Sequence, residues 1–344
     1  MTVSRRRFVS HCAAAGAAAM LTDAASPVLP PANAGRRIDI HHHDLSPRFI
    51  AEAGSHRKFP PSSRDWTPAR TLEDMDRAGV ATAILSVPTP GVFFGDLAAT
   101  RRLARYCNEY AAAMVRDYPG RFGLFAVLPL PDIDASLREI EHALDVLGAD
   151  GIGMYSSYGK HWLGDPFLAP ILQELNRRKT VLFVHPILNA CCADLVPDVA
   201  DTIVEYSTDT TRAIASFVFS GAAAQYPNLR VVFSHAGGTM PYLVERFTQY
   251  AKTKEIAARL PHGVLYELTR FSYDTAWSTD PAAMAALMKI VPTSQIVFGT
   301  DYPALPAAFQ VAGLRACRLT EPELRAIYRT NALGLLPRLN AASA

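Results

Sequence analysis

From Arg37 onward, short apolar runs rich in Val, Ile and Phe alternate with longer amphipathic segments. Parallel strands joined by crossover helices produce that alternation. Eight runs read as strands: Arg37 to His43, Ala81 to Val87, Phe122 to Pro129, Gly151 to Tyr155, Val181 to His185, Arg230 to His235, Phe271 to Thr275 and Gln295 to Asp301. Stretches such as Val181-Leu182-Phe183-Val184 and Val231-Val232-Phe233 offer no polar face. Their strands must therefore be covered on both sides, as in parallel sheets. Eight such strands in this length predict an α/β fold, a (β/α)8 TIM barrel forming a single domain over residues 35–344.

Between the strands, Thr71 and Asp74 have the spacing of a capping box, opening a helix from Leu72 to Ala78 that Gly79 ends. Leu97 to Tyr118 carries apolar residues at helical spacing and stops at Pro119-Gly120. Asp134 to Leu147, Pro166 to Arg178, Thr208 to Tyr226 and Pro281 to Ile290 read the same way. The connection from Asp44 to Arg70, punctuated by Pro47, Pro60, Pro61 and Pro68, is predicted to be a long active-site loop.

Composition narrows the partners. With 49% hydrophobic and 19% charged residues and a net charge of +2, the chain can bury a large core and shows no basic patch for nucleic acid or an anionic membrane. The first 34 residues stand apart. Ser4-Arg5-Arg6-Arg7-Phe8-Val9-Ser10 precedes an uncharged, Ala-rich stretch from Cys12 to Leu21 and a small-residue end at Ala32-Asn33-Ala34. This reads as a twin-arginine signal peptide spanning residues 1–34, its apolar stretch too short to cross roughly 30 Å of bilayer. Cleavage after Ala34 would leave a periplasmic enzyme without a membrane anchor; a cytoplasmic protein with a basic tail is the alternative. The remaining Cys107, Cys191, Cys192 and Cys317 lack zinc-site spacing and are read as structural.

Polar residues placed on this scaffold converge. His41 and His43 fall at the carboxyl end of the first predicted strand, His185 of the fifth, His235 of the sixth and Asp301 of the eighth. In a (β/α)8 barrel those ends meet at the catalytic face. Residues two apart on a strand share a side, so His41 and His43 can both face the axis while His42 faces away. A lone histidine more often packs or caps a loop, but five such residues at matching strand ends point to a metal site. Imidazoles with a carboxylate and no thiolate suit one divalent ion, Zn or alternatively Mn or Fe, with an open position. Asp39 is expected to point opposite to the ligands and to orient or brace them.

Ile38-Asp39-Ile40-His41-His42-His43, Val184-His185-Pro186, Phe233-Ser234-His235-Ala236-Gly237-Gly238 and Phe298-Gly299-Thr300-Asp301-Tyr302-Pro303 resemble the motifs of the amidohydrolase superfamily, in its aminocarboxymuconate-semialdehyde decarboxylase-like branch. The resemblance runs from about Arg37 to Leu336. It implies that His41, His43, His185 and Asp301 are metal ligands and that His235 and Asp301 are catalytic. Gly151-Ile152-Gly153-Met154-Tyr155 offers no lysine to bridge two metals, and Lys160 lies too far along. A mononuclear site follows.

Ser86-Val87-Pro88-Thr89-Pro90-Gly91 and Trp162-Leu163-Gly164-Asp165 resemble the 6-methylsalicylate and resorcylate decarboxylase-like members. The implied activity is non-oxidative decarboxylation of an ortho-hydroxybenzoate, a small carboxylic acid, by a homodimer. Asp301 or His235 would deliver the proton. The competing activity is hydrolysis of a lactone or amide by an activated water. Phe93 and Phe94 are candidates for an apolar wall against the ring, and Arg57 and Arg64 for pairing a carboxylate.

Overall fold

The computed structural model describes residues 37–341, so the signal-peptide reading over residues 1–34 lies outside the described residues. Eight strands follow the predicted order: β1 (Arg37–His43), β2 (Val80–Ser86), β3 (Phe122–Val127), β4 (Gly151–Tyr155), β5 (Val181–His185), β6 (Arg230–Phe233), β7 (Ser272–Asp274) and β8 (Ile296–Val297). Each pairs in parallel with the next. Chain beyond β8 returns to β1. Ile40 N donates to Phe298 O at 2.8 Å, Asp301 N to His41 O at 2.8 Å and His43 N to Tyr302 O at 2.9 Å. The barrel is thus closed from residue 298 to 302.

The crossover helices are α1 (Pro68–Ala78), α2 (Leu97–Asp117), α3 (Ile133–Glu141), α4 (Ala169–Arg177), α5 (Asp201–Phe219), α6 (Met240–Tyr250), α7 (Pro281–Met288) and α8 (Ala307–Ala316). Helix α1 starts one turn before the predicted capping box. Thr67 caps it, accepting from Arg70 N at 3.2 Å, with Pro68 in the first turn. A proline fits there because its missing N–H has no partner to lose. Thr71 is buried inside the helix, and Asp74 instead accepts from Ala307 N at 2.9 Å, tying α1 to α8. Helix α5 likewise begins earlier than predicted, at Asp201, and stops before Gly221.

Alternation along the strands divides the core. Ile38, Ile40, Ile84, Phe125, Phe183, Val232 and Val297 form one cluster, to which Leu335, Leu336 and Leu339 are added. Intervening residues such as Leu85, Leu124, Leu182 and Phe233 pack outward with helix residues such as Met75, Met114 and Leu172. Arg230 at the start of β6 donates to Leu335 O. The carboxyl-terminal segment therefore plugs the barrel end opposite the histidines.

Candidate metal centre and substrate cavity

Strand β1 carries a register shift against β2 between Asp39 and His42. Ile38 and Ile40 belong to the cluster inside the barrel, and the shift lets His41 and His43, of opposite parity, also turn inward. Unbroken alternation would put Asp39 on the side of His41. Asp39 instead faces away, as expected, contacting His42 Nδ1 at 2.9 Å and accepting from Thr300 N at 3.0 Å and Thr300 Oγ1 at 2.6 Å. It thereby fixes the chain before Asp301 against β1.

The ring contacts set the histidine tautomers. His41 Nδ1 lies 2.9 Å from Asp274 Oδ2, His43 Nδ1 3.1 Å from Ser86 O and His185 Nδ1 2.7 Å from Pro186 O. A carboxylate or carbonyl can only accept, so in the neutral rings each Nδ1 carries the hydrogen and each Nε2 presents a bare lone pair. Those lone pairs converge. His41 Nε2 and His43 Nε2 are 3.3 Å apart, and Asp301 Oδ1 lies 2.9 Å from His43 Nε2 and 3.4 Å from His41 Nε2. Among the described residues His185 Nε2 finds no hydrogen-bond partner and is buried.

Acceptors gathered this closely repel one another unless a cation lies between them. A separation near 3.3 Å is also the edge of a tetrahedron whose centre is about 2.0 Å from each nitrogen, the bond length of zinc to histidine. His41, His185, His235 and Asp301 each offer an atom within 4.8 Å of every other. These four make a divalent metal site. His235, expected as a catalytic neighbour, thus lies within ligand reach, and His43 adjoins the same centre through His41 and Asp301. Lys160 lines a neighbouring cavity instead.

Electrostatics carry the same signature. Burial alone would push the His41 imidazole down, but Asp274 and Asp301 outweigh it and lift it to about 10. Burial pushes His43 down and His185 well below the usual imidazole range, each disfavoured further by a neighbouring His. Asp301 goes the other way. Burial would raise it, yet the charge on His41 and the imidazoles of His235, His41 and His43 packed around it hold it well below the carboxylate range. In the metal-free protein a proton is thus favoured on His41, opposite two carboxylates, and disfavoured on His43 and His185.

Backbone conformation around the centre is costly. His235, Ala236, Trp277 and Asp301 all have φ between +53° and +60°, a region that side chains with a Cβ disfavour. Gly299 solves a different problem: a Cβ there would fall 2.8 Å from His41 Cβ and 3.0 Å from Asp274 Cβ.

Two residues of the site escape the sequence reading. Asp274 at the end of β7 is fully buried and orients His41; its Oδ1 also accepts from His235 N at 3.0 Å. A carboxylate at a strand's carboxyl end was the available signal. Trp277, in the turn that follows, donates its indole N–H to Asp301 Oδ2 at 2.7 Å. Nothing in its local sequence announces that contact.

Above the centre opens a cavity of about 400 Å³, walled by Leu45, Phe59, Pro88, Ile203, Trp277 and Pro303, with His43, His185, His235 and Asp301 also lining it. Arg57 reaches this cavity and donates to Thr89 Oγ1 and to Tyr206 OH. The other predicted substrate contacts lie elsewhere. Arg64 is exposed and paired with Asp65 at 3.3 Å. Phe93 lines a neighbouring cavity of about 620 Å³, and Phe94 stacks on His56 with centroids 4.3 Å apart. The apolar wall falls to Phe59, from the loop after β1 with its helical turns at Pro47–Ala53 and Pro61–Arg64, and to Trp277, from the turn after β7.

A closed (β/α)8 barrel with histidines and an aspartate gathered at its carboxyl rim defines a metal-centred barrel enzyme. The chain belongs to the amidohydrolase family, whose description "Amidohydrolase" matches residues 38–338. It is 35% identical over 327 residues to the 6-methylsalicylic acid decarboxylase acuB of Aspergillus aculeatus, covering 90% of this chain and 98% of that one. A crystal structure described as an amidohydrolase II aligns with TM-score 0.81 at 27% identity, over 88% of this chain and 99% of that one. The 5-carboxyvanillate decarboxylase of Novosphingobium aromaticivorans, complexed with manganese and 4-hydroxy-3-methoxy-5-nitrobenzoic acid, shares the fold with TM-score 0.80 at 20% identity, over 90% and 98% of the two chains.

Proposed function

We propose that this chain is a metal-dependent, non-oxidative decarboxylase of an ortho-hydroxybenzoate of the 6-methylsalicylate type. One observation carries the reading: bare imidazole lone pairs and the Asp301 carboxylate form the floor of an apolar cavity wide enough for one substituted benzene ring. The 35% identity to a 6-methylsalicylic acid decarboxylase over nearly its whole length supports it.

His41, His185, His235 and Asp301, with His43 beside them, would hold the ion, and zinc is the choice we infer from the nitrogen and oxygen donors, with manganese the other. When bound, the metal supplies Lewis-acid stabilisation of charge on the substrate's carboxylate and ortho oxygen. Loss of CO2 requires the ring carbon that bears the carboxylate to take a proton; the carbon–carbon bond then breaks and its electron pair restores the aromatic ring. Phe59, Trp277 and Pro88 exclude water and press the ring into one plane. Proton handling falls to Asp301 or to His235, whose Oδ2 and Nε2 lie 3.6 Å apart; a His235 that carries the proton on Nε2 stands beside the ion and leaves its coordination to the others. Arg57, held by Thr89 and Tyr206, is placed to meet an oxygen substituent in the cavity.

The test is incubation of metal-loaded protein with 6-methylsalicylate and 2,6-dihydroxybenzoate while CO2 is measured. Stoichiometric CO2 and the decarboxylated phenol are the expected products. Release of an acid from aryl lactones or amides, with no CO2 from either benzoate, would overturn the reading in favour of a hydrolase. Two further parts of the proposal rest on the sequence: export to the periplasm, supported by the arginine-led segment over residues 1–34, and assembly as a homodimer, which the family resemblance implies. Fractionation of expressing cells and light scattering test them.

A further inference from the structure

We infer that Trp277 is a positioning residue for Asp301, its indole N–H fixing the carboxylate that serves both the metal centre and proton transfer. The catalytic half of this inference rests on the decarboxylase reading; the metal half does not.

Three observations carry it. Asp301 divides its oxygens: Oδ1 faces His43 and His41 at 2.9 and 3.4 Å, whereas Oδ2 receives the Trp277 N–H at 2.7 Å and faces His235 at 3.6 Å. A carboxylate rotates about one torsion, so a donor on Oδ2 sets the direction of Oδ1 as well. Trp277 is also 54% exposed, so the hydrophobic core does not account for a tryptophan at this position. Its backbone sits at φ +53°, a conformation that favours glycine or asparagine and is costly for a bulky aromatic side chain.

The turn that aims it is built from the site itself. Asp274 Oδ1 accepts from Ala276 N at 2.9 Å, and Ser278 N donates to Thr275 O at 3.1 Å. The carboxylate that orients His41 thus also shapes the turn that carries Trp277 back across the mouth. Indole is a donor only and has no second protonation state. It can hold Oδ2 without competing for the proton, and its face remains free to form the cavity wall.

The test is Trp277→Phe, which keeps the aromatic wall and removes the donor. Metal release into a chromogenic chelator is expected to accelerate by about tenfold or more, and kcat for CO2 formation from 6-methylsalicylate to fall by about 10- to 100-fold, the usual loss when a hydrogen bond to a metal ligand is removed. KM should stay within about twofold, because the wall survives. Trp277→Gly is the companion: it should show the same loss of metal, and with both proteins in excess chelator its thermal midpoint should be at or above that of the parent, since glycine relieves the backbone. Parental metal release in Trp277→Phe would overturn the inference. So would a raised KM with unchanged kcat, which would make Trp277 a wall and nothing more. The release assay needs no substrate, so a failure to find any decarboxylated product leaves it decisive for Trp277.

Discussion

Asp274 joins three parts of the site. Its Oδ2 meets His41 Nδ1 while Oδ1 takes His235 N and Ala276 N, so one buried carboxylate sets a ligand's tautomer, the strained turn at His235 and the approach to Trp277. Asp274→Asn keeps the shape and removes the charge. An amide nitrogen facing any of these donors cannot accept, so at least one contact is lost. Metal affinity, measured by competition with a chelator, should fall by about 10- to 100-fold with the circular dichroism spectrum unchanged. Affinity within twofold of the parent would count against the role. The five side chains that meet at the centre were legible in the sequence because imidazole and carboxylate at strand ends have few other uses. Asp274 carries the same strand-end signal as Asp301, but its role is exerted through His41 and shows only in the folded contacts; Trp277 carries none, since its contact depends on how the turn after β7 bends. For the same reason Phe93, Phe94 and Arg64 lie off the cavity although their own loops line it through Pro88, Thr89, Phe59 and Ser63, while Arg57 reaches it.

At the scale of elements, strands were easier to place than helix ends. Val181-Leu182-Phe183-Val184 can only be a strand covered on both faces. The start of α1 depended instead on whether Thr67 or Thr71 capped it, and each offers a rival signal: Pro68 after Thr67, Asp74 three residues after Thr71. The register shift in β1 was also invisible locally, since it arises from pairing with β2. Element packing makes its own prediction. The stretch from Phe298 to Asp301 runs so close to β1 and β7 that Gly299 leaves no room for a methyl group. Gly299→Ala should therefore cost about 1–3 kcal/mol in denaturant unfolding, the usual penalty of overpacking. It should also reduce bound metal per chain, because the atoms displaced belong to His41 and Asp274. Full metal content at parental stability would show that the strands can part without disturbing the centre.

For the whole molecule, proton and metal compete for one position. In the metal-free protein Asp274 and Asp301 lift His41 from the ordinary 6.5 to about 10. A folded value raised above the unfolded one stabilises the fold fully below about 6.5, and that contribution is lost as pH rises through about 10. Coordination through His41 Nε2 requires the proton to leave. Metal affinity should therefore rise about tenfold per pH unit across that window, with one proton released per ion bound. Because a ligand that binds only the folded state stabilises it in proportion to the logarithm of its affinity, the two effects add in opposite directions. The thermal midpoint of chelated protein should fall from pH 7 to pH 9.5 relative to that of metal-loaded protein, so the gap between them widens. The barrel itself should persist without metal, since its clusters on both sides of the strands are built from apolar side chains that touch no ion. Parallel melting curves with and without chelator decide the matter: a gap independent of pH would mean that His41 carries no proton for the metal to displace.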